Sequence, residues 1–331
     1  MPFTARHWYH LSWLSVALLP LAALFRLSVS LRRLAYRIGV LRSERLPVPV
    51  IVVGNITAGG TGKTPLTLWL CGILQEQGFR PGIVSRGYGG HGRLQAVTAD
   101  SDPAAAGDEP VLLARRSRCP VWIGRDRVAA ARALLAASPE CDVLVCDDGL
   151  QHYHLQRDVE IVVLDGNRGL GNGLPLPAGP LREGAARLRS VDAVVINGPG
   201  DPGLRIASRF DMSLEGSTFH NLLNPGHTAA ASEFQGRRLH AVAGIGNPLR
   251  FFEHLQRLGL SFTAHAFPDH HPFAPADLDF EDADEIIMTE KDAIKCQRFA
   301  RENQWALSVD AAVDPELGQL ILNRLKTRHG S

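Results

Sequence analysis

Short apolar runs alternate with amphipathic or alanine-rich stretches along most of this chain. The runs lack the alternation of a half-exposed strand, so each predicts a strand that is buried on both faces. In the first two-thirds of the chain they cover residues 50–53, 81–85, 121–124, 141–146, 160–165 and 191–197. Strands that alternate with helices in this way predict an α/β fold with a largely parallel sheet.

The same rhythm returns at smaller scale in the second half, with predicted strands at 239–243, 261–267, 285–288 and 305–309. Periodicity is lost between 198 and 217, which indicates a domain boundary. We therefore predict three parts: an N-terminal segment over residues 1–45, a larger α/β/α lobe over 46–215, and a smaller C-terminal α/β lobe over 216–331.

The N-terminal segment has a different pattern. Residues 11–25 are almost wholly apolar, but the run is shorter than the roughly 20 residues of a spanning helix and contains Pro20. From 24 to 38, helical spacing places apolar and polar residues on opposite stripes. The apolar stripe holds Leu24, Leu27, Leu31, Leu34 and Ile38, and the polar stripe holds Arg26, Ser30, Arg33 and Arg37.

These stripes predict an amphipathic helix that lies on a membrane surface without crossing it, with the arginines at anionic headgroups. A signal peptide is a weaker interpretation, because the arginines follow the apolar run and no small-residue cleavage site is visible. An amphipathic helix that packs on the protein's own core remains an open alternative.

Composition narrows the class further. The 331 residues are 45% hydrophobic and 21% charged, which suits a globular enzyme with a sizeable core. A formal net charge of +1 gives no support for bulk nucleic-acid binding, so no nucleic-acid partner is expected. The five cysteines are scattered without C-x-x-C spacing, so we expect reduced thiols and neither a zinc site nor a disulfide framework.

Candidate chemistry begins where the first apolar run ends, at Gly54-Asn55 followed by Thr57-Ala-Gly-Gly-Thr-Gly-Lys-Thr64-Pro65. A strand, a glycine-rich loop and a helix in this order predict a phosphate-binding loop (P-loop). Nucleotide contacts are expected from Thr57, Ala58, Gly59, Gly60, Thr61, Gly62 and Lys63. Lys63 would reach the β- and γ-phosphates, and the Thr64 hydroxyl would ligate Mg²⁺.

Thr57 stands where the general motif has its first glycine. An ordinary glycine-rich turn before a helix is the alternative. The strand at 141–146 ends in Asp147-Asp148, which predicts carboxylates that meet Mg²⁺ directly or through water.

Other polar residues follow predicted strands, where ligands bind in open α/β sheets. Ser85, Arg86 and Tyr88 are site candidates or members of a structural turn. Arg125 and Arg127 suit bidentate phosphate contacts, with solvated helix-start charges as the alternative. Gln151 and His152 add polar groups to the same rim.

Four further residues are candidates for catalysis. Asp108 is a catalytic carboxylate or a helix N-cap, and Arg182 and Glu183 contact phosphate and metal or start a helix. His270, within Asp269-His270-His271, suits a base or an orienting group better than a metal ligand, because adjacent residues rarely ligate one ion together.

Nine motifs together resemble the tetraacyldisaccharide 4′-kinases of lipid A biosynthesis over nearly the whole chain. They are Val53-Gly-Asn55, Gly59-Gly-Thr-Gly-Lys-Thr-Pro65, Ser85-Arg-Gly-Tyr-Gly89, Gly107-Asp-Glu-Pro110, Asp147-Asp-Gly-Leu-Gln-His152, Pro180-Leu-Arg-Glu183, Gly246-Asn-Pro248, Phe267-Pro-Asp-His270 and Thr289-Glu-Lys-Asp292. Each motif alone is widespread, whereas the set in this order is specific. A small hydroxyl residue at the place of Thr57 is compatible with the family.

The resemblance implies two α/β/α lobes with a cleft between them, ATP and Mg²⁺ as the donor system, and His270 as the partner of Asp108. It also implies a peripheral protein at the cytoplasmic face of the bacterial inner membrane. The acceptor would be the 4′-hydroxyl of an acylated diglucosamine 1-phosphate lipid. For this substrate we expect contacts from Asn55, Ser85, Arg86, Tyr88, Gln151 and His152.

Two other classes share parts of the pattern. A membrane-bound P-loop switch ATPase of the partitioning type carries an extra lysine before the two glycines, where this chain has Ala58. An amide-forming or metallochaperone P-loop enzyme has no use for the N-terminal membrane helix.

Overall fold

The computed structural model describes residues 7–204 and 206–329. Residues 1–6 of the predicted N-terminal segment, residue 205 of the larger lobe and residues 330–331 of the smaller lobe lie outside the described residues. The strands are β1 (Val50–Gly54), β2 (Pro81–Ser85), β3 (Gln95–Val97), β4 (Val121–Ile123), β5 (Val143–Asp147), β6 (Val159–Asp165), β7 (Ala193–Asn197), β8 (Arg209–Glu215), β9 (Thr218–Asn221), β10 (Thr228–Ala230), β11 (Leu239–Ala243), β12 (Phe262–Ala266), β13 (Glu285–Thr289), β14 (Gln304–Leu307) and β15 (Asp310–Val313).

The α-helices are α1 (Trp13–Ala17), α2 (Leu19–Arg37), α3 (Lys63–Glu76), α4 (Pro103–Ala106), α5 (Asp108–Ser117), α6 (Arg127–Ala137), α7 (Pro248–Arg257), α8 (Glu290–Cys296) and α9 (Pro315–His329). Short 3₁₀ turns cover Ala185–Arg189, Ala231–Phe234, Pro275–Leu278 and Gln297–Phe299. The helix expected after Glu183 is the first of these turns. The predicted α/β class with two lobes is confirmed.

The larger sheet has nine strands in the order β15-β8-β7-β6-β1-β5-β2-β4-β3. Its strands pair in parallel, except β3 against β4 and β15 against β8. Side chains of β1 alternate between two cores: Ile51 packs with Leu66 and Leu70 of α3, and Val52 packs with Leu134 of α6 on the opposite face. Burial on both faces explains the continuous apolar runs of the sequence.

The register of the central strands positions the candidate site. β1 lies between β5 and β6, and Val53 is paired with Asp147 across the β1–β5 ladder. Because these strands are parallel, the glycine-rich loop and the Asp147-Asp148 pair leave the sheet at the same edge.

The smaller sheet has six strands in the order β10-β9-β14-β13-β11-β12. β9 and β10 are antiparallel to their neighbours, and the other strands are parallel. Helix α7 packs Phe251, Phe252 and Leu255 on one face, while Phe273 and Met288 belong to the core on the other. This lobe therefore has its own two-sided core.

The end of the chain returns to the larger lobe. β15 pairs with β8, and α9 places Leu317, Ile321 and Leu325 in the core that contains Leu70. The prediction that the smaller lobe continues to residue 331 is therefore corrected for residues 310–329. Pairing between strands almost a hundred residues apart leaves no local trace in the sequence.

Helix α2 begins five residues before the predicted stripe, at Leu19. Pro20 does not interrupt it, because a proline in the first turn lacks only an N–H that has no partner in the helix. Among the described residues, no helix combines the length and apolar character that crossing a membrane requires. The five cysteines are free and buried.

Candidate active site

Side chains from neighbouring strands hold the glycine-rich loop in shape. Asn197, at the end of β7, donates from Nδ2 to the carbonyl oxygen of Thr61 at 2.9 Å. Asn55 donates to the carbonyl oxygen of Gly59 at 3.2 Å and to the Thr61 hydroxyl at 3.4 Å. Both amides are buried, so the course of the loop is fixed by the protein itself.

The loop ends at Gly62, where φ is +95° and an added Cβ would lie 2.2 Å from Nδ2 of Asn197. Only glycine fits this left-handed position. Helix α3 then begins at Lys63, and its N-terminal N–H groups give the loop a partial positive charge. On its other side the loop is held by a hydrogen bond from the N–H of Ala58 to the carbonyl oxygen of Pro180 at 2.8 Å. The arrangement suits an anion.

Lys63 and Arg182 converge on Asp148. The Lys63 ammonium lies 3.5 Å from Oδ1 of Asp148, and Nη1 of Arg182 lies 3.4 Å from the same carboxylate. Burial alone would raise the pKa of Asp148, but the charges of Lys63, Arg182 and Arg127 outweigh burial and lower it. Asp148 is therefore an ionised carboxylate between cations at the edge where the loop ends.

Asp147 has the opposite environment. It is fully buried, its Oδ1 accepts from the Thr67 hydroxyl at 3.3 Å, and its Oδ2 has no hydrogen-bond partner. Burial, together with the charge of Glu109, raises the pKa of Asp147 to about 7. Thr64 lies in the first turn of α3, and Thr67 lies less than one turn further on. A buried carboxylate oxygen without a partner fits a cation ligand.

Asp108 and His270 meet across the two lobes. Asp108 is the first residue of α5 in the larger lobe, and His270 lies in the loop after β12 in the smaller lobe. The Nδ1 atom of His270 is 3.2 Å from Oδ1 and 3.1 Å from Oδ2 of Asp108. Gly107, and not Asp108, is the N-cap of α5, so the alternative prediction of Asp108 as a helix N-cap is wrong.

Ion pairing decides the protonation of this dyad. Burial alone would raise the pKa of Asp108, yet its hydrogen bond with His270 and the charges of Lys291 and Lys295 lower it. Burial would lower the pKa of His270, but the bond with Asp108 raises it. The carboxylate is therefore ionised at neutral pH and is free to accept a proton from a hydroxyl group.

Glu183 belongs to a buried network. Its carboxylate accepts from Nε2 of Gln151 at 2.9 Å and from the Tyr153 hydroxyl, and Nε of Arg187 lies 3.5 Å away. Gln151 also donates to the carbonyl oxygen of Asn55 at 3.0 Å. These contacts tie the base of the glycine-rich loop to the segment after Asp148.

Arg127 and His152 pack together near Asp148. The Arg127 guanidinium is buried and donates to the carbonyl oxygens of Gly124, Arg125 and Asp148 at 3.2–3.4 Å. Its backbone N–H donates to Nε2 of His152 at 3.3 Å. Burial and the Arg127 charge lower the pKa of His152 to about 4, so the imidazole is neutral. Arg125 is exposed.

The turn after β2 reaches the dyad. Ser85 is buried at the end of the strand, while Arg86 and Tyr88 are exposed. The Tyr88 ring lies 5.1 Å from the His270 ring, measured between centroids. This turn therefore lines the approach to the dyad, and the roles predicted for its three side chains stay predictions.

Sequence reasoning missed three residues with clear places in the site: Thr67, Asn197 and Lys291. Thr67 follows Lys63 by one helical turn, a spacing that puts both side chains on one face. Asn197 ends a strand, as Asp147 does. Lys291 stands in the Thr289-Glu-Lys-Asp292 motif, to which the sequence alone assigned no role.

The apolar stripe of α2 is exposed. Leu24, Leu27, Leu31, Leu34 and Ile38 have 49–64% of their surface accessible. The opposite side of the helix contacts the larger lobe, where Arg33 donates to the Ser190 hydroxyl at 3.1 Å and Tyr36 packs against Tyr153. In the structure, this stripe does not pack on the protein's own core.

A P-loop nucleotide-binding protein is defined by the features seen here: a largely parallel sheet, a glycine-rich loop, a lysine at the start of the following helix and a buried carboxylate on the adjacent strand. The model of the tetraacyldisaccharide-1-P 4′-kinase family matches residues 14–326. The chain belongs to this family, and the resemblance inferred from its motifs is confirmed.

Individual relatives agree. The chain is 51% identical to the tetraacyldisaccharide 4′-kinase of Methylobacillus flagellatus over 97% of this chain and 95% of the relative. It is 52% identical to that of Aromatoleum aromaticum over 96% of both chains. Its structure resembles the crystal structure of Aquifex aeolicus LpxK in complex with ATP, with a TM-score of 0.80, 29% identity, and coverage of 94% of this chain and 99% of that one.

Proposed function

We propose that this protein is a lipid kinase that transfers the γ-phosphoryl group of ATP to the 4′-hydroxyl of tetraacyldisaccharide 1-phosphate, giving lipid IVA in lipid A biosynthesis. The family membership supports the reaction. The observation that carries the proposal is the dyad, in which Nδ1 of His270 lies 3.1 Å from Oδ2 of Asp108. Glu109, next to Asp108, is near enough to Asp147 to raise its pKa.

ATP is expected to place its phosphates on the glycine-rich loop from Thr57 to Gly62. Lys63 would leave Asp148 partly or wholly for the β- and γ-phosphates, since a phosphate offers it a stronger partner at close range. Arg182 approaches the same carboxylate and would help to neutralise charge that develops on the transferred group. Most catalysis of phosphoryl transfer is positioning and charge neutralisation of this kind.

Mg²⁺ is the expected partner of the carboxylate pair. The unpartnered Oδ2 of Asp147 fits a cation ligand, and the Thr64 hydroxyl and Asp148 complete the proposed set. When bound, the ion would neutralise phosphate charge and hold the donor in line with the acceptor. Thr67 orients Asp147 through its hydroxyl.

Asp108 is the proposed base. As the 4′-oxygen forms its bond to the γ-phosphorus and the bond to ADP breaks, the hydroxyl proton moves to the Asp108 carboxylate. His270 orients that carboxylate and shares the proton. Substrate contacts from Asn55, Ser85, Arg86, Tyr88, Gln151 and His152 remain proposals, as do phosphate contacts from Arg125 and Arg127 and a direct catalytic role for Glu183.

The membrane face is proposed to be the exposed stripe of α2, with the lipid acceptor delivered from the cytoplasmic leaflet. Leucines at about half or more of full exposure along one helix face suit the acyl boundary of a bilayer. Replacement of Leu27 and Leu31 by glutamate should move the protein to the soluble fraction. Full-length protein that resists alkaline carbonate extraction would show a deeper anchor than we propose.

Product analysis tests the reaction directly. Purified protein, ATP, Mg²⁺ and a tetraacylated diglucosamine 1-phosphate should yield a lipid heavier by one phosphate, located at the 4′ position by mass spectrometry. Hydrolysis of ATP at the same rate without the lipid, and no phosphorylated lipid, would favour a switch ATPase instead.

A further inference from the structure

The Thr289-Glu-Lys-Asp292 motif opens α8 and fixes the start of this helix in the smaller lobe. The Thr289 hydroxyl caps the helix by accepting from the N–H of Asp292 at 3.2 Å and lies 2.7 Å from the Asp292 carboxylate. Oδ2 of Asp292 accepts from the N–H of Gly244 at 2.9 Å. Two of the four motif residues thus anchor the helix, and a third reaches the larger lobe, because Glu290 binds Arg116 of α5.

The fourth residue, Lys291, reaches the dyad. Its ammonium lies 3.0 Å from Oε1 of Glu109, 3.3 Å from Oδ1 of Asp269 and 3.4 Å from Nε2 of His270. Oδ2 of Asp108 is 4.0 Å away, and only 14% of the lysine side chain is exposed. This half-buried cation therefore joins Glu109 of the larger lobe to Asp269 and His270 in the loop after β12.

The chemistry of the groups sets the direction of these contacts. An ammonium group has donors and no acceptor, so a hydrogen bond to Nε2 of His270 requires a lone pair on that nitrogen. The imidazole proton is then on Nδ1, which faces both oxygens of Asp108. We propose that Lys291 is a positioning residue for phosphoryl transfer, which holds His270 in the Nδ1–H tautomer that donates to Asp108.

The charges around His270 support a specific need for this cation. Asp108, Asp269 and Glu109 are acidic, Lys295 lies 3.9 Å from Asp108, and the Tyr88 ring covers one side. Burial lowers the pKa of His270 and its hydrogen bond with Asp108 raises it, with a net rise that the positive charge of Lys291 limits. Without Lys291, the surrounding carboxylates would raise this pKa further and favour the doubly protonated imidazolium, which has no lone pair on Nε2.

The inference rests on the proposed role of the dyad, so its test includes a readout that does not depend on activity. Nitrogen NMR of histidine-labelled protein, with the His270 signal assigned by its loss in His270→Gln, reports the tautomer from about pH 6 to about pH 9. Wild type should show neutral His270 protonated at Nδ1. Lys291→Met should lose the preference for this tautomer and raise the pH at which His270 titrates.

Two variants act as controls. Lys291→Arg keeps the charge and should keep the titration near wild type, while its planar group restores kcat only in part. Arg116→Gln breaks the neighbouring ion pair between the lobes without touching the dyad, and it should leave the His270 tautomer unchanged.

The kinetic effect is expected in Lys291→Met. This variant should lower kcat by about tenfold or more, with KM for ATP unchanged and the acidic limb of the kcat profile moved to higher pH.

Separate outcomes overturn separate claims. An unchanged His270 tautomer and titration in Lys291→Met overturns the Lys291 proposal, even when the dyad variants are inactive. Loss of kcat that matches Arg116→Gln and follows melting temperature also overturns it, because that result describes a tether between the lobes. Wild-type kcat in His270→Gln would instead overturn the proposed function of the dyad.

Discussion

Two buried aspartates of the same lobe, Asp147 and Asp108, have pKa values that are shifted in opposite directions, although burial alone would raise both. Asp147 has one hydroxyl partner and an oxygen without any, and its pKa is raised to about 7. Asp108 faces His270 and two lysines, and its pKa is lowered. The difference lies in where the partners come from: the larger lobe alone surrounds Asp147, whereas the smaller lobe supplies the partners of Asp108.

This contrast separates the two tasks of a kinase site. The proposed phosphate-binding edge, which consists of the glycine-rich loop, Lys63 and the Asp147-Asp148 pair, is built within one lobe, where parallel strands and buried amides fix its shape. The dyad exists only when the smaller lobe is packed against α5. Nucleotide binding should therefore tolerate changes in lobe packing that strongly reduce the rate of phosphoryl transfer.

The largest effect is expected at the edge itself. Lys63→Ala should lower kcat by roughly 10³-fold or more, because the lysine neutralises phosphate charge that grows during transfer. A radiolabelled lipid-phosphorylation assay measures this loss. Lys326→Ala, at an exposed position of α9, is the matched control and should retain wild-type turnover. Near-normal turnover of Lys63→Ala would show that the glycine-rich loop and Lys63 do not bind the phosphates of ATP.

The dyad variants test the other half of the comparison. Asp108→Asn and His270→Gln should each lower kcat by about 10²-fold, the usual range for loss of acid–base catalysis. The double variant should lose much less than the product of the two effects, because the residues act as a unit. ATP affinity, measured by calorimetry, should stay near wild type in all three.

Independent, multiplicative losses in the double variant would contradict a coupled pair. A fall in ATP affinity with either single variant would mean that the dyad also takes part in nucleotide binding. The proposed division between nucleotide binding at the glycine-rich loop and proton transfer at the dyad would then be wrong. Losses that only follow melting temperature would leave the two residues with a structural role.

The sequence predicts that the glycine-rich loop and the Asp147-Asp148 pair lie together, because they follow strands whose order along a largely parallel sheet brings their ends to one edge. Val50–Gly54 and Val143–Asp147 are adjacent strands, so Lys63 and Asp148 meet as a local pattern implies. The glycine loop, the helix start and the carboxylates each have a signature within a few residues.

Residues whose role depends on distant neighbours could not be predicted in this way. Arg127 and Glu183 carry charges that suit phosphate or metal, yet their side chains are buried against carbonyl oxygens and a tyrosine from other segments. The return of residues 310–329 to the larger lobe likewise depends on pairing across the chain. Lys291 stands in a recognisable motif, but its contact with His270 exists only once the lobes are packed.

A smaller effect is expected where the two lobes touch near the glycine-rich loop. A Cβ on Gly246 would lie 2.6 Å from the backbone nitrogen of Gly60, so Gly246→Ala must push the two loops apart. Misplacement of reacting groups by a fraction of an ångström should lower kcat by about tenfold. Gly226→Ala, in the same lobe with only Asn224 nearby, is the control. Wild-type kcat for Gly246→Ala would show that this contact has no part in lobe placement.

The smallest effect, a shift of a few degrees in melting temperature, distinguishes Asp147 from Asp108 by pH. The folded-state pKa of Asp147, about 7, lies above its ordinary value of 3.8, so without a metal its contribution to stability is present at low pH. That contribution is lost as pH rises toward and through about 7, where the folded protein holds an ionised, unpartnered carboxylate. Mg²⁺ should therefore raise the melting temperature more at about pH 8 than at about pH 6, because binding requires the ionised form.

Asp147→Asn removes the titrating group while keeping its size, and it provides the matched control for this linkage. Metal-free Asp147→Asn should gain stability relative to wild type as pH rises through the same interval, and its response to Mg²⁺ should no longer depend on pH in that interval. Asp108→Asn should show no such trend in that interval, because the pKa of Asp108 is lowered from its ordinary value of 3.8 and the carboxylate is ionised in both folded and unfolded protein. Its loss of stability relative to wild type should shrink only as pH falls below about 3.8. Scanning fluorimetry with EDTA or Mg²⁺ measures both trends. Equal Mg²⁺ shifts at the two pH values in wild type would mean that Asp147 does not bind the ion, and the buried carboxylate would then be a structural partner of Thr67 alone.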